Sequence, residues 1–264
     1  MAGTENGRTV DKLFAKRTVL ISGGLGDIGR ATAREFARQG AAIALGDISP
    51  ASRAEAFLDE LSRFSVATHY SQVDVTDAQA VRAWVQTVEE NLGVADIIIA
   101  NAATVTPKRI HEISPDEWSA EIRVNLDGAF FLTQRATARL LAHQLPGWVV
   151  FVGSWAAHAV HPHIPAYSVA KAGLRMLCQC LALELAPHQI LVNEIAPGYV
   201  NAGLSARFWE KEPALADQAR EQVPIKKLIS AEAVARQVVQ LCHPDNEHMT
   251  GSTLLMDGGL SLLT

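Results

Sequence analysis

The sequence predicts an α/β fold, a single doubly wound parallel-sheet domain of Rossmann-like type. Three observations carry this. Short apolar or β-branched runs alternate with stretches of helical periodicity along nearly the whole chain. A glycine-rich turn separates the first such run from the first helix. The run at 95–100 (ADIIIA) is almost wholly apolar, as a parallel strand covered by helices on both faces should be. No linker interrupts the alternation, so a flexible tail over 1–16 and one domain over 17–264 are expected.

The first strand is expected at 18–21, followed by the glycine turn at 22–29 and a helix over 28–39 that ends at Gly40. The cycle repeats with a strand at 42–45, a helix at 51–61, a strand at 66–70, a helix at 78–90 and the strand at 95–100. Ser114 is the expected cap of a helix starting at Pro115, with Glu117 as the reciprocal half of a capping box; proline in the first helical position forfeits no bond. Apolar periodicity then continues to His143, interrupted by Asn125 and Gly128. Strand five is expected at 148–153, a helix at 166–185 and strand six at 190–195. Residues 197–224 break the rhythm, being charged and too long for an ordinary connection, and are expected to form a lid or substrate loop. A helix at 231–241 and a strand at 253–256 complete the pattern.

The composition narrows the function. Of the 264 residues, 48% are hydrophobic and 19% charged, which is the balance of a globular protein and not of a disordered one. A net charge of -5 without a basic cluster gives no footprint for nucleic acid. Cys178, Cys180 and Cys242 match neither a disulfide framework nor a zinc spacing, and the first two should point in different directions from one helix. The first sixteen residues carry Glu5, Arg8, Asp11 and Lys12, unlike a signal peptide, and no apolar run is long enough for a membrane span. A cytoplasmic protein with no membrane partner is expected.

The turn Ser22-Gly23-Gly24-Leu25-Gly26-Asp27-Ile28-Gly29 lies where a dinucleotide pyrophosphate rests, between a first strand and the positive end of a helix. Asp47 ends the second strand, where a carboxylate accepts the adenosine ribose hydroxyls and repels a 2'-phosphate. That selects NAD over NADP, although a simple turn residue is the plainer account of Asp47. Asp74 suits either an adenine amino group or a turn cap. Asn101, Ala102 and Ala103 place small side chains where a cofactor must cross the sheet.

Ser154 follows strand five, and Tyr167 and Lys171, four apart, share one helix face. Oxidising an alcohol needs a proton acceptor at oxygen as hydride leaves carbon, and a phenol of ordinary pKa ~10 is a poor one. A neighbouring ammonium and a positive nicotinamide favour the phenolate, Ser154 holds the substrate oxygen, and Tyr167 serves as base in oxidation and acid in reduction. Spacing alone leaves open a half-buried aromatic, a solvated lysine and a loop serine.

The ordered set of the glycine motif, Asp74, Asn101-Ala102-Ala103, Asn125, Ser154, Tyr167-Ser168-Val169-Ala170-Lys171, Pro197-Gly198 and Met256-Asp257-Gly258-Gly259 resembles the short-chain dehydrogenase/reductase family over about 18–259. The resemblance implies a catalytic tetrad of Asn125, Ser154, Tyr167 and Lys171, in which Asn125 holds a helix carbonyl and a water that relay protons to the lysine. It implies cofactor contacts from Ser22, Gly23, Leu25, Asp27, Ile28 and Gly29 in the turn, and from Asp47, Asp74, Val75, Asn101 and Ala102 at the following strand ends. Tyr167, Lys171, Pro197, Gly198 and Val200 border the nicotinamide. It also implies a homotetramer, with long helices pairing about a two-fold axis and the apolar end at 260–263 as part of an interface.

Three positions depart from the family pattern: Ser22 stands for a threonine, Asp27 for the middle glycine and Ala103 for a glycine. Asp27 is expected to cap the helix starting at Ile28, the alternative being an acid that disturbs the pyrophosphate. The substrate pocket is expected from 104–109, 155–166 and 199–224. His158, His161, His163 and Asn201 there could hydrogen-bond hydroxyls, pointing to a sugar, polyol or related small hydroxy compound, and no metal is expected. The alternatives are a 3-oxoacyl thioester reductase and a non-catalytic NAD-binding protein.

Overall fold

Strands β1 (Thr18–Ser22), β2 (Ala42–Asp47), β3 (Thr68–Gln72), β4 (Ile97–Ala100), β5 (Gly147–Val152), β6 (Ile190–Pro197) and β7 (Thr253–Met256) form one sheet in the order β3-β2-β1-β4-β5-β6-β7. All pairs are parallel. The computed structural model describes residues 12–203, 209 and 213–263, so most of the expected tail (1–11) and part of the expected substrate loop (204–208 and 210–212) lie outside the described residues. The helices are α1 (Asp27–Arg38), α2 (Glu55–Ser62), α3 (Ala78–Leu92), α4 (Pro115–Ile122), α5 (Gly128–His143), α6 (Pro165–Leu185), α7 (Pro213–Gln222) and α8 (Ala231–Leu241).

Because successive strand residues face opposite ways, the sheet builds a core on each side. Val19, Ile21, Ile97, Ile99 and Val150 pack with Phe36 of α1, Phe57 of α2 and Val234 of α8. Leu20, Ile98, Val149 and Phe151 pack with Trp84 of α3, Leu132 of α5 and Leu174 of α6. This is the expected doubly wound arrangement. Its chain reverses direction across the sheet between β1 and β4, and a crevice opens there beyond the carboxyl ends of the strands.

Helix α8 and strand β7 fall on the expected bounds, whereas β3 lies two residues later than expected, at Thr68–Gln72. It is an edge strand of half-buried residues whose register is set by pairing from Ile43↔Thr68 to Asp47↔Gln72 and not by its own hydrophobicity. Strand β4 starts late because Asp96 belongs to the connection: its carboxylate accepts the Thr18 amide at 2.9 Å and pairs with Arg17 at 2.7 Å.

The Ser114 capping box is present in both directions, Glu117 N–H to Ser114 Oγ at 3.2 Å and Ser114 N–H to Glu117 Oε2 at 2.9 Å. The interruption expected at Asn125 is a π-helical turn, Arg123–Asp127, between α4 and α5. A side chain on Gly128 would reach within 2.7 Å of Val75, so glycine lets α5 begin against the chain after β3. Cys178 is buried and Cys180 exposed, as their spacing requires. Among the described residues, no helix is long and apolar enough to cross a membrane.

Candidate active site

The two strand ends flanking the crevice are fastened to each other. The Ser22 hydroxyl accepts the amides of Asn101 (3.0 Å) and Ala102 (3.1 Å), and the Asn101 side chain donates back to the carbonyls of Ser22 (3.0 Å) and Gly23 (3.1 Å). Gly23 adopts φ +62°, and a Cβ there would lie 2.9 Å from Ala102 Cα. A Cβ on Gly29 would run into the Gly23 carbonyl oxygen. These glycines draw the turn, α1 and β4 together into a cradle for a flat, anionic group. The N-cap of α1 is Gly26, which has no side chain to offer the first-turn amides, so the helix end suits a phosphate.

Asp27 is not the cap. Helix α1 begins one residue earlier than the apolar pattern suggested, because Gly26 takes the extended capping conformation (φ -71°, ψ 162°) and leaves Asp27 as the first helical residue. Its carboxylate instead accepts the amide of Gly203 at 2.6 Å, tying the turn to the start of the substrate segment. This bond is exposed and made by one oxygen. Asp27→Gly is therefore expected to fold and to bind cofactor, at a stability loss of about 0.5–1 kcal/mol, from the lost acid in the first turn and the few tenths by which glycine is the poorer helix former. A melting curve and a cofactor titration check it, and an unfolded chain or abolished binding would overturn it.

Asp47 is held at the end of β2 by two amides, Leu25 N–H to Oδ2 (3.0 Å) and Ser49 N–H to Oδ1 (3.1 Å), which aims the carboxylate beside the glycine turn. Asp74 caps its own turn, Oδ1 accepting the Thr76 amide at 2.9 Å. Ile28 and Val75 are packing residues, against the cores on either side of the sheet. Gly198 donates to the Met256 carbonyl at 2.9 Å, Pro197 ends β6, and Val200 bridges to Ile229.

At the other end of the crevice, β5 delivers buried Ser154, which starts a short turn and accepts the Ala156 amide at 3.2 Å. Tyr167 and Lys171 are one turn apart on α6. Lys171 is only 2% exposed; its ammonium donates to the Val152 carbonyl at 2.7 Å and lies 5.5 Å from the centre of the Tyr167 ring. Burial pushes the Tyr167 phenol up to about 12, a push that the Ser154 hydroxyl opposes and the Glu121 carboxylate reinforces. Burial draws Lys171 down to about 8, against the pull of Glu194. Asn125, buried in the π turn and expected to hold a helix carbonyl, instead has both ends of its amide committed to Thr104 of the connection after β4, accepting its N–H and donating to its carbonyl, each at 2.8 Å.

Sequence reasoning missed two buried carboxylates here. Glu121 of α4, 1% exposed, accepts the Thr106 amide at 2.8 Å and acts electrostatically on Tyr167. Glu194 of β6 is 0% exposed and acts electrostatically on Lys171. The available signal for Glu194 was a charge within the otherwise covered strand ILVNEIAP. The pocket histidines divide: His161 packs edge-on against Trp155 (centroids 5.9 Å apart), which also meets Tyr199 (5.4 Å), while His158 lies 3.4 Å from Arg175. Among the described residues, no group of three or more His, Cys, Asp or Glu is placed to hold a metal ion.

A doubly wound sheet with a glycine cradle at one end of its crevice and a half-buried phenol beside a buried ammonium at the other defines a nicotinamide-dependent oxidoreductase acting between CH–OH and C=O. The chain belongs to the short-chain dehydrogenase/reductase family, its residues 24–261 matching the family model described as "Enoyl-(Acyl carrier protein) reductase". It is similar to the "Probable galactose dehydrogenase GalD" of Rhizobium meliloti (strain 1021), 32% identical over 92% of this chain and 94% of that protein. An NAD+-bound xylitol dehydrogenase superposes with a TM-score of 0.88 at 27% identity, covering 93% of this chain and 99% of that one. A "putative 2-deoxy-d-gluconate 3-dehydrogenase" from Agrobacterium tumefaciens with bound NADP superposes with a TM-score of 0.86 at 26% identity, covering 97% and 100%. One of these structures holds NAD and the other NADP, so the comparison establishes an NAD(P)-dependent dehydrogenase/reductase without choosing between them.

Proposed function

We propose that this protein interconverts a secondary alcohol and its carbonyl partner with NAD, and that its substrate is a sugar, polyol or related small hydroxy compound. The observation that carries this is the placement of Tyr167, Lys171 and Ser154 together at the carboxyl end of β5. Ser154 holds the substrate oxygen, Tyr167 removes its proton in oxidation and returns it in reduction, and Lys171 stabilises the phenolate between. The phenol, raised to about 12 by burial, needs that cation to act near neutrality. When bound, nicotinamide dinucleotide supplies the hydride acceptor. Asn125 fixes the Thr104 loop beside the pocket.

The turn from Ser22 to Gly29 is assigned to the pyrophosphate, Asp47 to the adenosine ribose, and Asn101, Ala102, Pro197, Gly198 and Val200 to the nicotinamide end. Asp47 supports NAD because its tethered carboxylate would face a 2'-phosphate, with Gly46 and Ile48 offering no base beside it. Asp47→Ala is expected to weaken NAD binding by roughly tenfold to a hundredfold, from about 1.5–3 kcal/mol of charge-assisted hydrogen bonds, and to narrow the preference over NADP. An unchanged NAD to NADP ratio of kcat/KM would count against it.

The substrate class is supported by imidazole and indole groups around 155–163 and by the sugar and polyol names of three relatives. A screen of NAD reduction over aldoses, polyols, sugar acids and plain secondary alcohols tests it, and turnover confined to the plain alcohols would refute it. A homotetramer is supported by the exposed Met176 and Leu183 on α6 and by Leu262 and Leu263 at the chain end, and light scattering tests it.

A further inference from the structure

Glu194 stands in the middle of β6, fully covered, in a strand whose neighbours Val192, Ile195 and Ala196 are core residues. A carboxylate there is costly to bury unless something on the protein compensates. One oxygen, Oε2, accepts the Thr253 hydroxyl of β7 at 2.6 Å, whereas Oε1 has no hydrogen-bond partner. The compensation comes from α6, which lies across this face of β6. Burial pushes the Glu194 carboxyl up, and Lys171 and Arg175, one turn apart, act against that push; Lys171 does so without direct contact, its ammonium lying on the carbonyl of Val152, the residue before the Gly153 against which Oε1 is packed. The site is also shaped for the carboxylate. Gly153, the residue before Ser154, has no side chain, and a Cβ there would collide with Oε1.

Lys171 has the complementary problem. Its ammonium is buried, its hydrogen bond goes to the Val152 carbonyl, and the nearest ring is that of Tyr167. Burial lowers its proton affinity, and Glu194 acts in the other direction. Tyr167 in turn is faced by Ser154 and Glu121. Neither buried partner has a comparable alternative: Arg175 is half-exposed and shared with His158.

We propose that Glu194 is the buried counter-ion of Lys171, a positioning residue that keeps the lysine cationic beneath the reacting phenol. The proposal rests on the assignment of Tyr167 and Lys171 made above. It adds a third layer to the site, in which strand β6 sets the charge of helix α6, which sets the acidity of Tyr167.

The test is an NMR titration of the full-length protein, with and without NAD, labelled at the lysine Cε, the Lys171 signal being identified by its loss in Lys171→Met. Glu194→Gln keeps the shape and removes the charge. The Lys171 midpoint is expected to fall by about one pH unit or more, a tenfold loss of proton affinity, and Glu194→Asp to recover much of it. The alkaline limb of kcat/KM for alcohol oxidation should move to lower pH with it, since a lysine that deprotonates earlier stops supporting the phenolate earlier. A merely structural role would lower activity without moving either. If Glu194→Gln does not fold, the reciprocal measurement decides: the Glu194 carboxyl midpoint, followed by labelled glutamate, must rise in Lys171→Met. A Lys171 midpoint unmoved to within about 0.3 unit in the folded Gln variant, or an unmoved Glu194 midpoint in Lys171→Met, overturns the proposal. Because the titrations need no turnover, they separate this failure from that of the catalytic assignment, which Tyr167→Phe tests on its own.

Discussion

Tyr167→Phe is expected to lower kcat/KM for alcohol oxidation by about 10²- to 10⁴-fold, the usual contribution of a positioned acid or base, while the cofactor still binds. The substitution removes one oxygen and leaves the ring packed on α6. Neither Lys171, Asn125 nor Ser154 stands ready to replace it. Lys171 is engaged with the Val152 carbonyl, and both ends of the Asn125 amide are closed on Thr104. Ser154 is a hydroxyl without a base beside it. Steady-state kinetics with the best substrate of the screen, beside a cofactor titration, measure both halves of the expectation. Turnover equal to that of the unaltered protein would remove Tyr167 from the mechanism.

Gly29→Ala is expected to damage cofactor binding and stability together. The new methyl would overlap the Gly23 carbonyl oxygen and lie 3.0 Å from Gly24 Cα and 3.2 Å from Asn101 Nδ2. Two of these are backbone, and the third is fixed by its two hydrogen bonds across the crevice, so the turn itself must move. Overpacking of this kind costs about 1–3 kcal/mol. For a chain of this size that is a melting temperature lower by roughly 2–4 °C per kcal/mol. Displacing the cradle by even part of that energy should cost tenfold or more in NAD affinity, about 1.4 kcal/mol. Calorimetry with and without NAD reads both, and an alanine variant with native melting temperature and affinity would show that the turn has slack that its geometry does not suggest.

The fold was legible wherever local and long-range forces agree. Ser114, Pro115 and Glu117 encode their helix start within four residues, and the π turn announced itself as a break at Asn125 and Gly128. Misplacements occurred where a neighbour decides. Strand β3 takes its register from β2, and Asp27 yields the cap to Gly26, whose backbone alone suffices. The resemblance named the phenol, ammonium and hydroxyl of the candidate site. It could not name Glu194, because the meaning of a charge in a strand depends on what packs over it, and that is settled by α6 and β7. Asn125 likewise reads as one polar residue in a helix until Thr104, from a different connection, occupies its amide.

The position of β1 has a bearing on how the chain comes to its native state. It is the first of the described strands along the chain and the third of seven across the sheet, paired on one side with β2 but on the other with β4, so that Val19, Leu20 and Ile21 wait for Ile97, Ile98 and Ile99. All of α1, α2 and α3 must leave the ribosome before that side is covered. Until then the nascent chain presents an unsatisfied, strongly apolar edge, the kind of template on which chains join one another. The three isoleucines of β4 are what close that edge.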